Sequence, residues 1–260
     1  METAEVIAAA RAALPELLVA VDFDGTLAPL TADPQQSRPV EGAIEALVAL
    51  AGLGAQVAVI TGRDALTALR LGGFEQIPGV VVAGLYGAET WAGGSLVSPP
   101  EPASMQALRD RLPSALTEAG ADPDIWIEDK RLSLVVHARQ TRDPQAALAT
   151  VETVVRTLGR AVGAEVHPGR DVLELRMPGF DKAGALRGLI DARPGATVIY
   201  LGDDLGDLPA FTEIRALRAS GGQGYGVGVR SSGVPEVAAA ADVMVDGAED
   251  VVRVLRAISA

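Results

Sequence analysis

Five short apolar runs, continuous rather than alternating, place the strongest constraint on how this chain folds. Continuous runs are typical of parallel strands covered on both faces, whereas a strand with one face in water alternates apolar and polar residues. Segments with helical spacing of apolar residues, such as residues 39–54 and 181–191, lie between the runs. This alternation predicts an α/β fold with a doubly wound parallel sheet. The predicted strands are residues 17–23, 55–61, 79–85, 196–202 and 225–229.

The middle of the chain follows a different order. A proline-rich stretch at residues 97–104 is typical of a junction between domains. After it, the pattern predicts a helix, two strands, a longer helix and two more strands, and Pro113 is expected to bend or split the first helix. The order α-β-β-α-β-β is that of a compact α+β unit. We therefore predict a core domain from residues 1–97 and 180–260, with a smaller α+β cap domain, residues 98–179, inserted into it.

Composition excludes several classes of function. The 260 residues include no cysteine, which excludes disulfides and thiolate chemistry. A formal net charge of -12 argues against nucleic acid or an anionic membrane as the main partner. No uncharged run approaches the length of a membrane span, and the N-terminal stretch lacks the pattern of a signal peptide. We expect a soluble, cytoplasmic monomer that acts on a small molecule.

Polar residues collect where the predicted strands end. Ligands of doubly wound sheets bind beyond the carboxyl ends of the strands, so these residues are candidates for one site. Lys182 begins the helix that follows the inserted unit. The strand-end clusters are Asp22 and Asp24, then Thr61, Gly62 and Arg63, then Gly202, Asp203, Asp204 and Asp207.

Four carboxylates in one site require a counter-charge. Mg²⁺ suits oxygen ligands and commonly also meets a substrate phosphate. Asp22 could then act as a nucleophile that forms an aspartyl-phosphate, and Asp24 could protonate the leaving oxygen and later activate water. The Thr61 hydroxyl and Lys182 could hold the non-bridging phosphate oxygens. The pattern thus indicates phosphoryl transfer, although Thr61 alone could be a helix cap and Lys182 alone a solvated lysine.

The ordered motifs DxDGT, TGR, Lys and GDDxxD resemble those of the haloacid dehalogenase superfamily. The resemblance implies that Asp22 is the nucleophile and Asp24 the acid and base. It also implies that Mg²⁺ is held by Asp22, the Asp24 backbone carbonyl and Asp203. Asp204 and Asp207 would support the metal's waters and Lys182. Gly62 and Arg63, in the loop with Thr61, are expected to bind the substrate.

The inserted unit resembles the cap of trehalose-6-phosphate phosphatases, on the segments IEDKRLSLVVHAR and GRDVLELRMPGFDKAGAL. The resemblance implies hydrolysis of trehalose 6-phosphate to trehalose and phosphate. Four positions depart from the commoner family pattern without removing a catalytic group: Tyr86, Ala183, Leu205 and Gly206. The residues expected to face the sugar are Glu128, Lys130, Arg139, Arg170 and Glu174.

Other functions stay open at this level. The substrate could be another sugar phosphate, of the mannosylglycerate, sucrose or pseudo-disaccharide type. The chain could also be a sugar-phosphate sensor that performs no chemistry, or a phosphomutase. His137 and His167 have no partner at metal-ligand spacing, and we interpret them, with Trp126, as structural.

Overall fold

The computed structural model describes residues 1–31, 33–169, 171–231 and 233–260. Two compact units form, one from Met1–Ser98 with Phe180–Ala260, the other from Pro99–Gly179. The helices in these ranges are α1 (Thr3–Ala12), α2 (Ala43–Gly52), α3 (Ala65–Gly72), α4 (Ala103–Glu118), α5 (Pro144–Val162), α6 (Lys182–Asp191), α7 (Leu208–Ala219), α8 (Pro235–Ala240) and α9 (Gly247–Ser259). The strands are β1 (Leu17–Val21), β2 (Gln56–Ile60), β3 (Val81–Gly84), β4 (Glu89–Ala92), β5 (Ser95–Val97), β6 (Trp126–Asp129), β7 (Ser133–His137), β8 (Glu165–Gly169), β9 (Val172–Arg176), β10 (Thr197–Gly202), β11 (Gly224–Val229) and β12 (Val243–Val245).

The first unit is built on a mostly parallel sheet in the order β12-β11-β10-β1-β2-β3-β4-β5. The strands from β12 to β3 are parallel, and β4 and β5 extend the sheet as an antiparallel hairpin. All five predicted strands are present, so the predicted doubly wound α/β class is confirmed. The prediction missed the short strands β4, β5 and β12. Their shortness explains this, because three or four residues carry little periodicity.

Helices cover both faces of the parallel sheet. Along β1, Val19 packs into the core that includes α2 and α9, and Leu18 packs into the core that includes α6 and α7. Burial on both faces is the physical reason for the continuous apolar runs. Val19 pairs with Ile199 on β10 and with Val57 on β2, so the carboxyl ends of these three neighbouring strands are aligned. That edge receives the residues that follow each strand.

The second unit has an antiparallel sheet in the order β6-β7-β9-β8. Helices α4 and α5 pack on one face of it, against Leu134, Val136, Leu173 and Leu175. Helix α4 is continuous through Pro113, so of the two expected effects of this proline, a bend or a split, the split is wrong. No helix in the described part of the chain combines the length and apolar character that a membrane span needs.

Candidate active site

Asp22 follows β1 and is buried at the aligned strand edge. Its backbone N–H donates to the carbonyl of Leu201, which ties it to the end of β10. The Nζ of Lys182, the first residue of α6, lies 2.8 Å from its Oδ1. Burial raises the pKa of Asp22 well above the ordinary value, and Lys182 only partly offsets this. The charged form of this buried carboxylate is therefore disfavoured, and the Lys182 ammonium beside it supplies only part of the counter-charge.

Asp207 anchors Lys182 from the other side. Its Oδ1 lies 2.6 Å from the Lys182 Nζ and also accepts from the Tyr200 hydroxyl. Its Oδ2 accepts from the backbone N–H groups of Asp203 at 2.8 Å and Asp204 at 3.0 Å. Burial works against the charged forms of both partners, yet their attraction lowers the pKa of Asp207 and raises that of Lys182. The pair is thus fixed in its ionised form.

Asp203 follows β10, the neighbour of β1, and is also buried. The Thr26 hydroxyl donates to its Oδ1 at 3.1 Å, and the Ser231 hydroxyl donates to its Oδ2. Burial, followed by the nearby Asp207 carboxylate, raises the pKa of Asp203 to about 7. Gly25 lies against this carboxylate: with φ +85° and a Cβ that would stand 2.1 Å from Oδ2, the position admits only glycine.

These carboxylates fit a divalent cation. Oxygens of Asp22, Asp203 and Asp207 all lie within 4.8 Å of one another. Asp207 already accepts four hydrogen bonds, which fills the four lone-pair positions of a carboxylate. Asp22 and Asp203 are therefore the two members suited to a metal. Their raised pKa values mean that the buried charge is under-compensated by Lys182, and a hard cation such as Mg²⁺ would supply the missing charge.

Asp24 lies outside this cluster and is held by a different set of donors. Arg63 donates to it from Nε at 2.6 Å and from a terminal nitrogen at 2.7 Å, and Ser37 donates at 2.8 Å. Two predicted site residues, Asp24 and Arg63, thus contact each other directly as a bidentate ion pair. Asp204 is exposed, and its Oδ1 accepts from the Gly206 N–H at 2.8 Å, so it caps the turn that carries Asp207.

The loop after β2 carries Thr61, Gly62 and Arg63. Thr61 is buried, and its Oγ1 accepts from the Arg63 N–H at 3.1 Å. Tyr86 has φ +60°, an uncommon conformation for a residue with a side chain, and its N–H donates to the Thr61 carbonyl. A Cβ on Gly62 would stand 2.7 Å from the Tyr86 hydroxyl. Gly62 therefore makes room for the phenol beside the predicted phosphate loop.

In the second unit, three of the predicted sugar-facing residues lie together. The Lys130 Nζ is 4.0 Å from a Glu128 carboxylate oxygen and 3.8 Å from one of Glu174. Ser133 donates to Glu174 at 2.8 Å. Arg139 is exposed two residues beyond β7, and its side chain has no ion pair within the described ranges. Arg170 lies outside the described residues.

Sequence reasoning missed the residues that hold the carboxylates. Ser231 follows β11, and the strand order would have brought it near Asp203 had that order been known. Thr26 directly follows the DxDG segment and gave a usable signal. Ser37 lies in a loop well beyond the end of β1 along the chain, and Tyr200 lies within the apolar run that forms β10. Neither carries a pattern that distinguishes it.

Comparison with known proteins identifies the family. The family model described as trehalose-phosphatase matches residues 20–249. The chain belongs to the trehalose-phosphatase family. A trehalose-phosphate phosphatase of Mycobacterium marinum is 36% identical over 219 residues, covering 77% of this chain and 52% of that protein. The chain thus spans about half the length of the first trehalose-phosphate phosphatases that it matches.

Solved structures agree on the fold. The C-terminal domain of the C. albicans trehalose-6-phosphate phosphatase is similar with a TM-score of 0.78 at 20% identity, covering 100% of this chain and 97% of that one. A haloacid dehalogenase-like hydrolase from Bacteroides thetaiotaomicron is similar with a TM-score of 0.66 at 17% identity, covering 92% of this chain and 97% of that one. The predicted haloacid dehalogenase fold is therefore confirmed.

Proposed function

We propose that this chain is a Mg²⁺-dependent phosphatase that converts trehalose 6-phosphate to trehalose and phosphate through an aspartyl-phosphate on Asp22. The observation that carries the proposal is the buried Asp22–Lys182–Asp207 arrangement with Asp203 at the same strand edge. Membership of the trehalose-phosphatase family supports the choice of substrate.

Mg²⁺ bound by Asp22, Asp203 and the Asp24 carbonyl would neutralise charge on the carboxylates and on the phosphoryl oxygens. In the first half-reaction, a carboxylate oxygen of Asp22 attacks phosphorus while the bond to the sugar oxygen breaks. Lys182 stays close to Asp22 because Asp207 holds it, and there it stabilises charge on the non-bridging oxygens. The Thr61 hydroxyl and the Gly62 loop position the same group.

Asp24 supplies the proton transfers. It protonates the leaving sugar oxygen, and in the second half-reaction it takes a proton from the water that attacks the aspartyl-phosphate. Arg63 donates to both carboxylate oxygens of Asp24 through two nitrogens, so this ion pair must open before Asp24 reaches the leaving oxygen. An incoming phosphate offers Arg63 an alternative bidentate partner, which gives Arg63 a role in substrate binding.

Recognition of the sugar falls to the second unit. Glu128 and Glu174 each present a carboxylate near the Lys130 ammonium, at 4.0 and 3.8 Å from its Nζ. Sugar hydroxyls both donate and accept, so such a set can hold several of them by charge-assisted hydrogen bonds. We assign Arg139 and Arg170 to the same role on the strength of the resemblance.

Phosphate release from a panel of substrates tests the proposal. The panel contains trehalose 6-phosphate, a sucrose phosphate, a mannosylglycerate phosphate and p-nitrophenyl phosphate, each with Mg²⁺ and with EDTA. We expect the highest kcat/KM for trehalose 6-phosphate, no turnover in EDTA and none for Asp22→Asn. A higher kcat/KM for another sugar phosphate would refute the substrate, and full activity of Asp22→Asn would refute the nucleophile.

A further inference from the structure

One buried histidine of the second unit contacts a residue expected to face the sugar. His137, the last residue of β7, is 3% exposed, and its Nε2 lies 2.9 Å from Oε2 of Glu128 on β6. Strand register places Glu128 opposite Val135 and His137 opposite Trp126. Both side chains therefore lie on the face of the sheet opposite α4 and α5, whose apolar contacts are with Leu134 and Val136.

Trp126 fixes the plane of the imidazole. The two rings stack with centroids 3.9 Å apart and planes inclined by 2°. Within the described residues, the buried His137 Nδ1 and Trp126 Nε1 have no hydrogen-bond partner. Nε2 is thus the ring atom through which His137 makes a polar contact with the described residues. A carboxylate can only accept, so Nε2 carries a hydrogen and donates it to Glu128.

Glu128 is the point at which this contact reaches the predicted sugar-binding set. Its side chain is 31% exposed, and the Lys130 Nζ lies 4.0 Å from the same Oε2 that His137 contacts. A carboxylate on a flexible side chain is a precise hydrogen-bond acceptor only when one of its own oxygens is held. The buried, stacked imidazole provides that hold, and Lys130, a longer and more mobile side chain, does so less well.

We propose that His137, held by its stack on Trp126, is a positioning residue that fixes the Glu128 carboxylate for a hydroxyl of the sugar. This inference rests on the proposed function and adds a determinant of sugar specificity to it. The residue acts through Glu128 and takes no part in the chemistry at phosphorus. Its loss should therefore affect phosphorylated sugars and leave a phosphate ester without a sugar unaffected.

The test compares trehalose 6-phosphate with p-nitrophenyl phosphate on the full chain with Mg²⁺. His137→Phe keeps a ring to stack on Trp126 but removes the donor. We expect its kcat/KM for trehalose 6-phosphate to fall about 10- to 100-fold, mainly through KM, as for other residues that orient a contact group. Its kcat/KM for p-nitrophenyl phosphate should stay within about twofold. His137→Gln, which returns an N–H donor near the Nε2 position, should restore most of the loss.

Two further comparisons isolate the contact. In a Glu128→Ala background, His137→Phe should have almost no added effect, because a residue that acts only through Glu128 is fully coupled to it. The matched control is His167→Phe: that histidine also contacts a glutamate, Glu165 at 3.2 Å, but its side chain is 40% exposed. His167→Phe should keep kcat/KM for both substrates within about twofold of the wild-type value.

The outcomes separate the two proposals. If wild type fails to hydrolyse trehalose 6-phosphate, the proposed function falls and this inference falls with it. If wild type is active and His137→Phe lowers kcat/KM equally for both substrates, His137 is merely structural. If the variant lowers kcat/KM for neither substrate, His137 is irrelevant to both. Either result overturns this inference alone. Additive effects of His137→Phe and Glu128→Ala would overturn it too.

Discussion

Replacing Asp203 with asparagine should stabilise the metal-free protein at neutral pH. The carboxylate is buried, and its pKa is raised from 3.8 to about 7. One pKa unit corresponds to about 1.4 kcal/mol, so ionised Asp203 costs the folded state about 4 kcal/mol at pH 7 or above. Asparagine removes that cost but cannot accept from both Thr26 and Ser231, a loss of about 1 kcal/mol. The expected net gain is about 3 kcal/mol.

The sign of the pH dependence follows from the raised pKa. Between pH 3.8 and about 7 the folded state binds the extra proton, so wild-type stability falls as pH rises through this range. Asparagine does not titrate. The stability advantage of Asp203→Asn should therefore grow from pH 5 to pH 8 in EDTA. Saturating Mg²⁺ should stabilise wild type but not the variant, which reduces or reverses the difference.

Urea unfolding measures this effect in the first unit alone. The sequence has two tryptophans, and in a Trp126→Phe background the fluorescence of Trp91, in β4, reports on the first unit. Asp246→Asn is the control: its side chain is 74% exposed in a surface ion pair, so the change should be within about 1 kcal/mol. An Asp203→Asn protein that is less stable than wild type at pH 8 in EDTA, or a difference that does not vary with pH, would show that the buried Asp203 charge does not destabilise the fold.

Three other predictions concern neighbouring residues. Lys182→Met leaves two buried carboxylates without their cation and should destabilise the chain by about 3–5 kcal/mol in urea unfolding; an unchanged midpoint would contradict the burial argument. Gly62→Ala should lower kcat/KM for p-nitrophenyl phosphate about tenfold or more, because the added Cβ would stand 2.7 Å from the Tyr86 hydroxyl. Adding Tyr86→Ala to that variant should relieve part of the loss. Mg²⁺ binding should weaken as pH falls below about 7, because the proton on Asp203 competes with the metal. Calorimetry in two buffers of different ionisation enthalpy should detect proton release on Mg²⁺ binding at pH 6.5 and little release at pH 8.5.

The parallel part of the sheet could be predicted from the sequence because it is buried on both faces. Each long strand is then a continuous apolar run, and its end is marked by the first polar residue, as at Asp22 and Asp203. The short β4–β5 hairpin was not predictable in this way: β5 is exposed throughout, so burial does not select its residues. Segments with weak burial leave weak patterns.

The candidate site was predictable where chemistry requires unusual residues, and less so where geometry decides. Clustered acids and a lysine indicate a site because each is costly to bury alone. The contact between Asp24 and Arg63 depends on two loops meeting, and no spacing in the sequence encodes that distance. The same holds for His137: the sequence suggested a structural histidine, whereas the register of β6 and β7 brings it to Glu128.

The proposed chemistry depends above all on attack of the Asp22 carboxylate on phosphorus. Acid quenching of the protein with trehalose 6-phosphate and Mg²⁺ within one turnover, followed by peptide mass spectrometry, tests it most directly. We expect a phosphoryl group on the peptide that contains Asp22 in wild type and none in Asp22→Asn. Rapid phosphate release from wild type with no phosphorylated peptide at any time point, or a phosphoryl group on a different residue, would show that Asp22 is not the nucleophile.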